Sequence, residues 1–343
     1  MTNVIKKCVD DLVCVMLDVH IWGGRRILNR EDLLAANPAL SKLPSEKLAS
    51  LGAYKLCDPE LLRQFDVVRG RAERYLKRQG LSLLGAVGIT PEKYQNEAYA
   101  KLLAFQTEFN ALGDAFLKQF DVAVQNWATT QLLENPDYAH LFNQPPSREH
   151  VEKRLSFTFH AYRVNAPAAE DGSAMNSHYD TQVRGLKGEL MRDVAAEAGT
   201  LVNEYLLRKQ DGVVTAREYV TPRTLGPLIR AAAKLDDFRF LDPSIGPLSD
   251  LINEVVASAD AQRIEGKLLM KVWSLSKLLS DPARAVELAA AATEGKSSDD
   301  LLGAMTIAQG DASPAIARVQ QSVDESPSAV NAPSDAQSLS LLL

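Results

Sequence analysis

The sequence predicts a mainly α protein: a long antiparallel helical, coiled-coil-like stalk with a small antiparallel β-sheet, followed by a C-terminal helical part. Three observations predict it. Residues 91 to 134 carry apolar side chains at steps of three and four. Residues 178 to 210 repeat that pattern. Two short runs, VCVMLDVHIW and LSFTFHAYRV, instead alternate in polarity residue by residue. Steps near 3.6 place side chains on one helix face, and steps of two place them on one strand face.

The first strand is expected over 13 to 22. Val13, Val15, Leu17, Val19 and Ile21 alternate with Cys14, Met16, Asp18, His20 and Trp22, so one face is wholly apolar. Gly23-Gly24 follows, then Arg25-Arg26-Ile27-Leu28. A Gly pair suits the positive φ angles of a two-residue hairpin turn, so this stretch reads as a hairpin. It lacks the remainder of a phosphate loop or of GxGxxG. The second run, 155 to 164, points Leu155, Phe157, Phe159 and Ala161 one way and Ser156, Thr158, His160 and Tyr162 the other. A lone hairpin is marginal in water, so the two distant runs are expected to share one sheet. His20 and His160 then lie on one face and read as sheet histidines. No Cys, Asp or Glu spacing completes a ligand set around them.

Asp58-Pro59-Glu60 signals a helix start, with Asp58 as N-cap and Pro59 at the first position. That helix should run to Gly80, burying Leu61, Phe65, Val68, Ala72, Tyr75 and Leu76. Thr90-Pro91-Glu92 opens the next in the same way. Its stripe reads Tyr94, Ala98, Leu102, Phe105, Phe109, Leu112, Phe116, Phe120, Val124, Trp127, and it should end before Asn135-Pro136. At 1.5 Å per residue it would extend about 65 Å. The third long helix, with Val183, Leu186, Leu190, Val194, Ala198, Leu201 and Tyr205 on one side, should end near Gln210-Asp211-Gly212. The economical arrangement packs the two longest helices antiparallel, each hiding its stripe against the other and against the 59 to 79 helix.

From 213 the helices shorten, broken by Pro222, Pro227, Pro243, Pro247 and Pro282. PLIRAAAKLDDFRFLD and IEGKLLMKVWSLSKLL are amphipathic and should form a compact helical part. Residues 296 to 343 are rich in Ser, Ala, Asp, Gln and Pro, which reads as a flexible tail. The tail ends in Leu339-Ser340-Leu341-Leu342-Leu343, either a frayed end or a short docking motif. The expected organisation is therefore a stalk with sheet over 1 to 212, a helical part over 213 to 295 and a tail over 296 to 343.

The 343 residues carry a formal net charge of -6, which argues against a globally basic nucleic-acid binder. Three scattered cysteines make neither a zinc site nor a disulfide framework. Asp10 and Asp11 interrupt the apolar N-terminal run, and no run is long enough for a membrane span, so a cytoplasmic location is expected. No nucleophile–base pairing such as GxSxG or HExxH is present, so neither enzyme chemistry nor a cofactor is expected. Ser156 and His160 share a strand face but lie too far apart to act together. Phe105, Phe109, Phe116 and Phe120 sit on the helical seam and read as core rather than base-stacking residues.

One charged feature stands out. Arg63, Arg71, Arg74 and Arg78 fall on one face of the 59 to 79 helix, roughly opposite its apolar stripe, with Lys77 beside them. A solvated face is the plainer reading. The alternatives are contact with an acidic protein or with a phosphate backbone.

The segments LDVHIWGGRRIL, LPSEKLASLGAYKLCDPELLRQFDVVRGRAERYL, LLGAVGITPEKY and LSFTFHAYRV resemble a family designated domain of unknown function thirty-one fifty, found in bacteria, phages and conjugative elements. The resemblance spans roughly residues 8 to 210 and supplies no site residues. It implies work beside a MoxR-type AAA+ ATPase and a von Willebrand factor A-domain protein, partners similar to the cobalt-chelatase pair. The expectation is a non-enzymatic partner or adaptor of such a machine in a mobile element or phage. The alternatives are a nucleic-acid-binding accessory of mobile-element recombination, with DNA as the ligand, and a self-assembling structural protein, a homo-oligomer.

Overall fold

A computed structural model describes residues 8–36, 48–167, 173–210, 213–259, 262–295 and 297–308. It is mainly helical with small antiparallel sheets. The chain divides into two compact units, 1–189 and 190–343.

The first unit is built on a four-stranded sheet. Strand β1 (Val13–His20) is followed by β2 (Arg25–Ile27), α1 (Arg30–Ala36), β3 (Ala53–Lys55) and α2 (Pro59–Gln79). Strands β4 (Leu81–Leu83) and β5 (Ala86–Ile89) come next. One helical turn at Pro91–Lys93 and a π-helical turn at Tyr94–Ala98 lead into α3 (Tyr99–Glu134). Helix α4 (Arg148–Glu152), strand β6 (Ser156–Tyr162) and α5 (Ser173–Thr200) follow, and the unit boundary falls within α5.

The sheet order is β4-β5-β1-β6, antiparallel throughout. The two runs expected to share a sheet do pair, from Cys14 opposite Tyr162 to His20 opposite Ser156. Val13, Val15, Leu17 and Val19 pack into clusters with α2 and α3, and Met16 and His20 on the other face are exposed. The alternation therefore marks the face that meets α2 and α3, although Cys14 on the other face is fully buried as well.

Two expectations are corrected here. The opening stretch is not a hairpin. Strand β2 forms, but it pairs with β3, Arg25 opposite Lys55, and not with β1. Trp22 turns into the core, in edge contact with Phe120 at 5.7 Å, and carries the chain off the sheet. The β1 partner slot is filled instead by β5, from a true two-residue hairpin at Leu84-Gly85.

The second correction concerns the stalk. The stripe that begins at Ala98 in the π-helical turn is buried along α3 as predicted, through Leu102, Phe105, Phe109, Phe116, Phe120 and Val124. Of its two expected covers, α2 is present and the sheet stands in place of the other long helix: Phe65 meets Phe109 at 5.0 Å and Phe109 meets Phe157 at 5.6 Å. No residue of α5 belongs to the two hydrophobic clusters that bury this stripe. An aromatic stripe specifies that a face is buried and leaves open what buries it. The helical part of α5 also ends early. A π-helical turn, Leu201–Leu206, passes into strand β7 (Leu207–Gln210), which pairs with β8 (Val213–Ala216). Tyr205, expected on the buried stripe, is exposed.

Gly80 ends α2, as expected, and does so in an extended conformation, φ −150°. Its role is close approach. A Cβ there would lie 2.3 Å from the Gly88 carbonyl oxygen of β5.

The second unit begins with the rest of α5 and the β7/β8 pair. It continues with β9 (Tyr219–Val220), α6 (Gly226–Asp237), α7 (Ile245–Ala257), β10 (Ile264–Glu265), α8 (Gly266–Leu279), α9 (Pro282–Ala292) and α10 (Ser298–Ala308). The two amphipathic segments read from the sequence are α6 and α8. Leu228, Leu235, Ile245, Ile252, Val272 and Leu288 are fully buried. The buried Lys234 ammonium meets Asp193 of α5 at 2.6 Å, as burial of a charge requires. Within the stretch read as a tail, 298–308 forms α10 and buries Leu301 and Leu302. The remaining tail, including the closing leucines, lies outside the described residues.

Candidate nucleic-acid or protein interface on helix α2

Helix α2 occupies 59–79, as the sequence predicts, and its start is well determined. The Asp58 carboxylate accepts from the Glu60 amide at 2.9 Å, and Pro59 needs no amide partner. Lys77 and Arg78 in the last turn complement the helix dipole. Leu62, Phe65, Val68, Ala72 and Leu76 are buried, so the opposite face is solvent-exposed by geometry.

All five predicted residues, Arg63, Arg71, Arg74, Lys77 and Arg78, are exposed. They do not act alike. Arg63 pairs with Glu60 at 3.2 Å within its own helix. Arg71 leaves the stripe and turns toward α3. Its Nη1 lies 2.7 Å from Glu108 Oε1, and its guanidinium lies 5.3 Å from the centre of the Phe105 ring. It is a clasp between two helices. Arg74 and Arg78 stand one turn apart, and neither has a carboxylate partner among the described residues. The exposed core of the candidate face is therefore Arg74 and Arg78, with Lys77 next to them. Arg69, which sequence reasoning passed over, pairs with Asp66 at 2.9 Å on the far flank.

The other sequence candidates resolve plainly. His20 and His160 do point to the same sheet face, but His160 is opposite Met16 and His20 opposite Ser156, four residues apart along the strand. The His20 ring lies 3.0 Å from Asp18. Among the described residues no group of three His, Cys, Asp or Glu is arranged to hold a metal ion. No described helix is long and apolar enough to cross a membrane. Phe105, Phe109, Phe116 and Phe120 are core residues, at most 4% exposed.

The family described as "Protein of unknown function (DUF3150)" matches residues 9–281. The chain belongs to that family. The DUF3150 match covers the four resembling segments, both sheets of the first unit, helix α2 and the second unit as far as α8. The α2 face thus lies inside the DUF3150 region, and α10 lies beyond it. Comparison of this DUF3150 chain with curated proteins and with solved structures returned no match.

Proposed function

We propose that this protein is a non-enzymatic partner, or adaptor, of a MoxR-type AAA+ ATPase and its von Willebrand factor A-domain protein in a bacterial mobile element or phage. On this reading the Arg74–Lys77–Arg78 face of α2 meets an acidic protein surface. The carrying observation is the Arg74–Arg78 pair. Two like charges one helical turn apart repel each other mildly, and no described carboxylate offsets them. An acidic partner supplies the missing countercharge and gains orientation from two neighbouring cations. The choice of machine rests on the resemblance alone.

A second reading has the same residues following a nucleic-acid backbone, since Arg suits phosphate equally well. The net charge of -6 opposes long-range attraction of a polyanion, which places this reading second.

The test is a pull-down of the tagged chain from its native host, comparing wild type with Arg74→Glu/Arg78→Glu. Arg71 is left intact, because Arg71→Glu would set two carboxylates together at Glu108 and disturb the fold. The expected result is recovery of an AAA+ ATPase or A-domain protein with wild type and its loss with the double variant. DNA binding that weakens steeply with salt and disappears in the variant establishes the second reading instead. Recovery of the same proteins by both forms removes α2 as the interface.

A further inference from the structure

Away from the Arg74–Arg78 face, the stretch Ile21–Arg25 runs beside the first half of α2, and a cleft of about 470 Å³ opens there. Gly24 sets how closely the two segments approach. Its φ is +60°, and a Cβ there would lie 2.6 Å from Leu62 Cδ1. The buried part of the lining is apolar, formed by Trp22, Cys57 and Leu62. The exposed part is charged. Its two acids are already engaged, Glu60 with Arg63 at 3.2 Å and Asp66 with Arg69 at 2.9 Å.

Two cations remain. Arg25 and Lys55 both line the cleft, both are exposed, and neither has an anionic partner among the described residues. They are register partners across the β2/β3 pair, so their side chains leave the ladder on the same side. Like charges placed directly opposite in a sheet are destabilising. The arrangement leaves two positive charges, a fork of donors on Arg25 and a compact ammonium on Lys55, beside an apolar wall.

We propose that this cleft binds a phosphate dianion, free or as a monoester, held between Arg25 and Lys55. A phosphate monoester carries about −1.5 to −2 charge at pH 7 and offers three acceptor oxygens. That matches two cations better than a carboxylate or a phosphodiester, each with a single charge. The planar guanidinium accommodates two phosphate oxygens and the ammonium a third. The cleft volume lies in the range of small-molecule sites, and Trp22 and Leu62 offer apolar contact to the organic part of an ester. This site shares no residue with the Arg74–Arg78 pair.

The test titrates the full chain with phenyl phosphate, inorganic phosphate and dimethyl phosphate, followed by calorimetry. Phenyl phosphate should bind, and Arg25→Gln/Lys55→Gln should weaken it by about tenfold or more, the effect of removing charge-assisted hydrogen bonds. Arg74→Glu/Arg78→Glu should bind it as wild type does, which separates this site from the α2 face. Tighter binding of phenyl phosphate than of inorganic phosphate assigns the site to an organic ester; equal binding assigns it to the free anion. Dimethyl phosphate, singly charged, should bind least. Without ligand, Lys55→Gln should hold or raise the Tm, because it removes a repulsion. Failure of both dianions to bind, equal binding of dimethyl phosphate, undiminished binding in the Arg25/Lys55 variant, or a lowered Tm in Lys55→Gln would each overturn the proposal.

Discussion

Leu84 has a left-handed backbone, φ +51°, followed by Gly85 at φ +83°, in the two-residue loop between β4 and β5. Positive φ at both loop positions is the geometry that Asn-Gly adopts most readily, and a leucine there is strained. Leu84→Asn is expected to stabilise the protein by about 1 kcal/mol, read as a higher urea midpoint at unchanged m-value. Cys57 gives a second residue-scale expectation. Burial first, and then the Asp58 carboxylate beside it, push the Cys57 thiol up from 9.0 to about 11. The unfolded thiol ionises first as pH rises, so the stability this group contributes is complete below pH 9 and lost between about 9 and 11. Melting curves from pH 8 to 11 should fall less steeply for Cys57→Ala than for wild type. Equal slopes would show that the thiol is not protected. The buried Tyr179 phenol, raised by desolvation and then by its hydrogen bond to Asp10, adds alkaline sensitivity in the same direction and remains in both proteins.

At the scale of elements, α3 shows how a helix of 36 residues is held. Its phenylalanines lock against Phe65 of α2 and Phe157 of β6 in tilted and edge-on contacts. Such geometry adds to the area buried by the rings. Phe109, 1% exposed, sits where these elements meet. Phe109→Asp places an uncompensated charge there and should lower stability by about 4 kcal/mol, measured by denaturant titration. An unchanged midpoint would remove Phe109 from the core. Arg71 belongs to the same joint. Its ion pair with Glu108 is nearly half-exposed on both sides, so it orients the two helices more than it stabilises them.

At the scale of the molecule, each of the two units buries apolar residues of its own, Phe109 in the first and Ile252 in the second. The clusters around α3 draw on residues of the first unit alone. Calorimetry should therefore resolve two transitions. Phe109→Asp should shift one and Ile252→Ala, a buried truncation on α7 of a kind that costs about 2 to 5 kcal/mol, the other. A single transition moved by both variants would refute independent cores. The same division guides the binding tests, because the Arg74–Arg78 pair and the Arg25–Lys55 cleft both belong to the first unit.

Much of the local architecture is determined by the sequence itself. Asp58-Pro59 starts α2, the steps of three and four choose its buried face and that of α3, and alternation chooses the inner face of β1. These features depend on neighbours within a few residues, where backbone geometry converts spacing directly into direction. The strands β4 and β5 escaped notice because they are three and four residues long and their turn places leucine where Asn or Gly is customary. Everything that depends on which distant segment fills a place was decided only in the folded chain. Strand β2 pairs with β3 across about two dozen residues, and the seam of α3 meets the sheet in place of the other long helix. Arg71 is removed from the cationic stripe by Glu108, 37 residues later. Arg25 and Lys55 become one charged pair for the same reason. A pattern states what kind of surface a segment presents; the path of the chain states which surface it meets, and hydrogen-bond ladders and ion pairs form only between groups that path brings together.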